Sequence, residues 1–176
     1  MAQTKFQAGD VFPEIALPSV GGGKVTLGKP KNGHDWQMVV VYRGKHCPLC
    51  VGYLEKLEAL KQQFFDIGVD LLVVSGDPQA KAEAQVEENS MTLPVGYDLS
   101  IADMKKLGLY ISHPRPQETD RPFAEPGIFV INQDGKLQVT DISNAPFSRP
   151  DLEVCVSGLK FIRDPANNYP IRGTYE

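Results

Sequence analysis

The residues Cys47-Pro48-Leu49-Cys50 constrain this chain more than any other feature. They follow directly on the apolar run Met38 to Tyr42 and directly precede an amphipathic stretch, Val51 to Phe65. A C-x-x-C at a strand-to-helix junction, within a strand and helix alternation, is the arrangement of a dithiol redox site. The first cysteine falls at the N-cap of the coming helix, where unpaired backbone N–H groups and the helix dipole favour negative charge. A thiolate is the nucleophile of thiol–disulfide chemistry, and this placement produces one near neutral pH. Pro48 suits the first helical position and starts the helix just after Cys47. Two plainer readings compete. A pair of buried, inert cysteines is opposed by Pro48 between them. A metal site built on His46, Cys47 and Cys50 lacks the second paired motif that structural zinc sites bring.

The flanking pattern extends the alternation. Two short apolar runs between Asp10 and Thr26 surround Gly21-Gly22-Gly23 and predict an N-terminal hairpin. Trp36 to Tyr42 and Val69 to Val74 are near-continuously apolar, as central strands are. Leu54, Leu57, Leu60 and Phe64 keep helical spacing, with Gly68 as a stop. Gly76-Asp77-Pro78 predicts a turn capping a helix over about 79–89. Another short helix is expected over 98–107. Leu109 to Glu125, with Pro114, Pro116 and Pro122, predicts a long loop. Strands over 127–132 and 136–142 meet at an Asn132 to Gly135 turn. A last helix over 150–161 precedes a tail, 164–176. The chain therefore reads as one α/β domain over 1–176, with a central mixed sheet flanked by helices.

Composition narrows the function. A net charge of −4 without a Lys/Arg stripe gives no footprint for nucleic acid. No apolar run is long enough to span a membrane. Met1 to Asp10 lacks the apolar core of a signal peptide, so a cytoplasmic location is expected. There a pair of cysteines is more often catalytic or metal-binding than structural. No cofactor and no metal are implied.

The run Tyr42-Arg43-Gly44-Lys45-His46-Cys47-Pro48-Leu49-Cys50 resembles the R-G-x-x-C-P-x-C signature of peroxiredoxin-like proteins of the alkyl hydroperoxide reductase/thiol-specific antioxidant (AhpC/TSA) group. Gly9-Asp10 through Leu17 to Leu27 is similar to that group's N-terminal hairpin. Glu125 to Ile131 followed by Asp134-Gly135 is similar to its strand before the last hairpin. The resemblance covers roughly residues 9 to 163 and implies a thioredoxin-like fold and an oxidoreductase. It also exposes departures. Peroxiredoxins share a Pro seven residues and a Thr or Ser three residues before the reactive Cys, where this chain has Val40 and Gly44. The Arg they carry before the later strand aligns with Pro126, which instead resembles the cis-proline of thioredoxins.

These departures favour thiol–disulfide exchange, with an exposed Cys47 as nucleophile and a more shielded Cys50 as resolving thiol. Peroxide reduction through a Cys47 sulfenic acid is the alternative, and a non-catalytic redox sensor is a third reading. Pro48, His46, Arg43 and Pro126 are the supporting site residues. His46, if protonated, stabilises the thiolate; Arg43 or Arg149 could bring a guanidinium from another direction. The Glu125–Pro126 bond is expected to be cis and to face the C-x-x-C. Glu125 is unusual there, because a carboxylate near a thiolate disfavours its charge. Cys155, mid-helix, reads as an inert core thiol, His34 and His113 as surface loop residues, and Lys81 to Glu88 as solvated surface. The implied partners are a thioredoxin- or glutathione-type thiol reductant and a disulfide or hydroperoxide substrate; a homodimer is compatible with the pattern.

Overall fold

The computed structural model describes residues 6–176. A small antiparallel pair, β1 (Ala16–Pro18) and β2 (Lys24–Thr26), forms the expected hairpin around the glycines. The chain then enters β3 (Trp36–Val41), in which every residue is buried. Helix α1 (Pro48–Asp66) follows, and strand β4 (Val69–Val74) lies parallel to β3. Gly68, at φ +77°, makes the left-handed reversal that ends α1 and lets β4 begin at once. Next come α2 (Gln79–Glu88), β5 (Val95–Gly96) and α3 (Ile101–Lys106). A short pair, β6 (Ile111–Ser112) and β7 (Phe123–Ala124), precedes the hairpin of β8 (Gly127–Ile131) and β9 (Leu137–Ile142). Helix α4 (Leu152–Arg163) and a 3-10 turn at Pro165–Asn167 complete the order.

The main sheet runs β5-β4-β3-β8-β9, parallel among β5, β4 and β3 and antiparallel across β3-β8 and β8-β9. The alternation of a strand's side chains splits the core into two layers. Met38 and Val40 of β3, and Tyr42 just after it, face one side, with Leu54, Leu57, Leu60 and Phe64 of α1 and Leu152, Val156 and Leu159 of α4. Val39 and Val41 face the other, with Met104 and Leu107 around α3 and Ile15, Leu17 and Val25 of the N-terminal hairpin. β3 is apolar on both sides because both of its faces are covered. α1 is amphipathic because only one of its faces is. The result is the mixed α/β architecture expected from the sequence.

Three local expectations are corrected. The segment 109–125 is not all loop, since β6 and β7 pair across it. Asp77 does not cap α2: Pro78 holds that position without a side-chain cap bond. The Glu125–Pro126 peptide is trans, as are all described peptide bonds. Glu125 N–H donates to Tyr110 O (2.8 Å) and Pro126 O accepts from Ser143 N–H (3.0 Å). The chain therefore passes from β7 into β8 held by pairing on both sides, with no reversal for a cis bond to make.

Candidate active site

The site grows from the end of β3. After Val41 the chain turns through Gly44 and reaches Cys47, whose N–H donates to Gly44 O (3.2 Å). Cys47 is the N-cap of α1, and its Sγ accepts the N–H of Cys50 at 3.3 Å. A cap side chain satisfies one of the donors that a helix start leaves open. Here the capping acceptor is a sulfur, and the bond pulls negative charge onto it. Pro48 stands at the first helical position, where its missing N–H costs nothing.

The turn is shaped from below by a residue that sequence reading assigned elsewhere. Asp77 is buried, and its Oδ2 accepts the N–H of Lys45 at 2.8 Å. A Cβ placed on Gly44 would lie 2.6 Å from Asp77 Oδ1, and Gly44 has φ +138°. Both facts require glycine. The absence of the peroxiredoxin Thr or Ser at this position is therefore structural: the Asp77 carboxyl fills the space that side chain would need. Burial raises the Asp77 pKa against the bond from Lys45 and the charges of His46 and Lys81.

The two cysteines are unequal. The thiol hydrogen bond from Cys50 is the largest influence on Cys47 and lowers its pKa. Burial opposes it; the Cys50 N–H and the Arg43 guanidinium, by hydrogen bonding and by charge, lower it further, to about 6. The same thiol bond, then burial, pushes Cys50 far above the ordinary thiol range. Cys47 is 2% exposed and Cys50 0%. The expected difference in reactivity thus has an electrostatic cause, but Cys47 is enclosed rather than open. Alkylation of the reduced protein should show a pH midpoint near 6 at Cys47. Cys155, half-buried on α4 and pushed up to about 11 by burial and then by Asp141 and Asp151, should stay unlabelled until strongly alkaline pH. Peptide mapping of the labelled protein checks both; equal labelling of Cys155 at pH 7 would contradict the assignment.

Arg43 is the residue the structure elevates. Its guanidinium is one of the groups that lower the Cys47 pKa. Its Nε is 3.0 Å from Glu125 Oε2, an ion contact off the axis of a hydrogen bond. Its Nη2 is 3.7 Å from Glu118 Oε1, and it stacks at 4.8 Å over the Phe123 ring. Glu125 is buried, and its Oε1 accepts the Ser112 hydroxyl at 2.8 Å. The chain Ser112, Glu125, Arg43, Cys47 thus crosses from β6 and β7 to the N-terminus of α1. Glu125, which looked adverse to a thiolate, spends its charge on the arginine that stabilises it. Pro126 sends no side chain into this network; its neighbour Glu125 does.

The other candidates fall around this centre. His46 packs edge-on to Phe123 at 4.6 Å, and both of its ring nitrogens are buried without partners. Burial first, then the Arg43 charge, lower its pKa, so at neutral pH it is a neutral ring rather than the cation expected to stabilise Cys47. Arg149 stacks at 4.3 Å on Tyr53 and donates from Nε to Pro146 O at 2.8 Å. Its charge acts on Cys50, not Cys47. His34 stacks on Phe65 and His113 is exposed, both away from the thiols. Among the described residues, no cluster of His, Cys, Asp or Glu side chains is assembled to hold a metal ion, and no helix is long and apolar enough to cross a membrane.

This geometry has relatives. The chain is 25% identical over 138 residues to a probable 1-Cys peroxiredoxin of Syntrichia ruralis, covering 75% of this chain and 62% of that protein. It therefore spans less than two thirds of that relative's length. Its fold matches a peroxiredoxin-like protein from Aquifex aeolicus with a TM-score of 0.72 at 20% identity, covering 90% of this chain and 88% of that one. It matches Mycobacterium bovis AhpC with a TM-score of 0.75 at 13% identity, covering 99% and 100%. At such identities the likeness carries the fold, which is the thioredoxin-like fold of peroxiredoxins. The model of the AhpC/TSA family matches residues 8–140, a span holding Cys47, Cys50, Arg43, Asp77 and Glu125. On that match the chain belongs to the AhpC/TSA family.

Proposed function

We propose that this chain is an oxidoreductase of the thiol-dependent peroxidase type, with Cys47 as the peroxide-reducing thiol. The observation that carries this reading is the Arg43 guanidinium held 3.0 Å from the buried Glu125 carboxylate, where its charge lowers the Cys47 pKa. The sequence lacks the arginine and the Thr or Ser at the family's usual positions, which is the argument for exchange over peroxide chemistry, and Arg43 is one of the two arginines that could bring a guanidinium from another direction. A fixed cation at the sulfur favours the thiolate in the ground state. The same charge favours the negative charge that develops on oxygen as the O–O bond breaks. Enclosure of the sulfur supports the same reading, because a peroxide is small enough to reach a thiol that is 2% exposed.

The steps balance simply. The Cys47 thiolate attacks the distal peroxide oxygen; an S–O bond forms, the O–O bond breaks, and the leaving alkoxide or hydroxide takes up a proton. The product is a sulfenic acid at Cys47. The Cys50 sulfur then attacks the Cys47 sulfur, its proton leaves with the hydroxyl as water, and a Cys47–Cys50 disulfide remains. An external reductant, either one thioredoxin-type dithiol or two glutathione thiols, reduces it and leaves as a disulfide. A chain that must be re-reduced each cycle fits a cytoplasmic, reducing setting.

Thiol–disulfide exchange is the second reading, supported by the Cys50 thiol bond to Cys47, which couples the two sulfurs and sets their pKa values apart. Stopped-flow rates of the reduced protein with hydrogen peroxide and with a model disulfide, side by side, separate the two. A peroxide rate orders of magnitude above that of a free thiol of matched pKa is the expected result. A disulfide rate exceeding it would reverse the order of the readings, and a single change of state without turnover would favour a sensor.

A further inference from the structure

Between β6 and β7 the segment 113–122 reaches Arg43 through Glu118. It is stiff. Pro114, Pro116 and Pro122 restrict its dihedrals, and Arg115 is tied to Glu118 by N–H to Oε2 (2.9 Å) and Nε to Oε1 (2.7 Å). It is also weakly anchored: no residue from 113 to 122 is buried. Its attachments to the rest of the chain are polar. Glu118 contacts Arg43, and Lys81 of α2 reaches both the Thr119 hydroxyl (2.8 Å) and Asp120 (3.8 Å). Behind it, Phe123 closes over Arg43 and His46. A strap with no buried residue, held by the shielded Arg43–Glu118 pair and the exposed Lys81–Asp120 pair, belongs to the low-stability end of a fold. An exposed pair such as Lys81–Asp120 contributes little and weakens with salt.

We propose that segment 113–122 is a latch that sets substrate size at Cys47, with Lys81 and Glu118 as its specificity-determining residues. Closed, it admits hydrogen peroxide and other small hydroperoxides. Bulky organic hydroperoxides and protein disulfides reach the sulfur only when the polar anchors release. The proposal rests on Cys47 as the reacting thiol and deepens the peroxidase reading by naming its substrate class. Lys81, on the face of α2 that reads in sequence as mere solvated surface, contacts neither Cys47 nor Arg43; because its charge also acts on Asp77 and His46, Thr119→Val is the variant that loosens the same anchor with that charge kept.

The experiment uses reduced protein carrying Cys155→Ser, so that Cys47 is the reporting thiol. Its labelling is timed with iodoacetamide and with fluorescein maleimide. Its oxidation is timed with hydrogen peroxide and with cumene hydroperoxide. Both are run at about 0.01 M and about 1 M salt, where the screening length falls from about 30 to about 3 Å. Lys81→Met and, independently, Thr119→Val should raise the bulky-to-small rate ratio about fivefold, the effect of losing one exposed ion pair on an opening equilibrium. High salt should do the same to the unaltered chain, while the small-reagent rates hold. An unchanged ratio in both variants overturns the latch. If neither peroxide reacts faster than a free thiol but the labelling ratio still shifts, the peroxidase reading fails and the latch stands as a control on access for disulfides.

Discussion

Cys47→Ser should abolish turnover of hydroperoxide and of disulfide alike, a loss of at least about 10³-fold of the kind seen when a nucleophile is removed. No other thiol can replace it. Cys50 is fully buried and its proton is held far into the alkaline range by the bond to Cys47 and by burial. Cys155 sits half-buried at about 11. Cys50→Ser should behave differently, because Cys47 keeps Arg43 and the residue-50 N–H. Peroxide should be consumed in one burst of a single equivalent per chain, after which the protein stalls as a sulfenic acid that dimedone traps. Mass spectrometry of the trapped adduct checks this. A Cys50→Ser protein that cycles normally without small thiols would show that Cys50 resolves nothing.

Arg43→Met should slow the reaction with hydrogen peroxide by about 10²–10³-fold, the usual cost of losing one donor aimed at developing charge. Two effects contribute, and pH separates them. The guanidinium lowers the Cys47 pKa, so its removal raises that pKa, and the thiolate fraction at pH 7 falls. Repeating the measurement well above the new midpoint restores the thiolate, and the deficit that persists is transition-state stabilisation. Arg43→Lys should recover charge but not the fork that meets Glu125 and Cys47 together. Glu125→Gln should give a smaller loss with the same pH signature, since the arginine stays but is less tightly aimed. A full rate for Arg43→Met at every pH would remove the guanidinium from the mechanism and return the weight to thiol–disulfide exchange.

The element that carries the nucleophile was legible without coordinates because all of its causes are local. The N-cap, the proline after it and the i, i+3 spacing of Cys50 lie within one helical turn. Strands β3 and β4 were legible because burial on both faces leaves an unbroken apolar run. Single residues whose partners lie far along the chain were not legible. Asp77 before Pro78 has the local form of a helix cap, yet the Lys45 N–H claims its carboxylate once β3 and β4 lie side by side. Pro126 has the form of a cis-proline, but pairing on both sides keeps the chain extended. The two-residue strands β6 and β7 are too short for any periodicity to reveal. Sequence alone determined the dithiol, the helix that polarises it and the strands that hold it. Only the tertiary structure decided that Arg43 would be held against Glu125, because that ion pair exists only after two distant strand ends are brought together and desolvated.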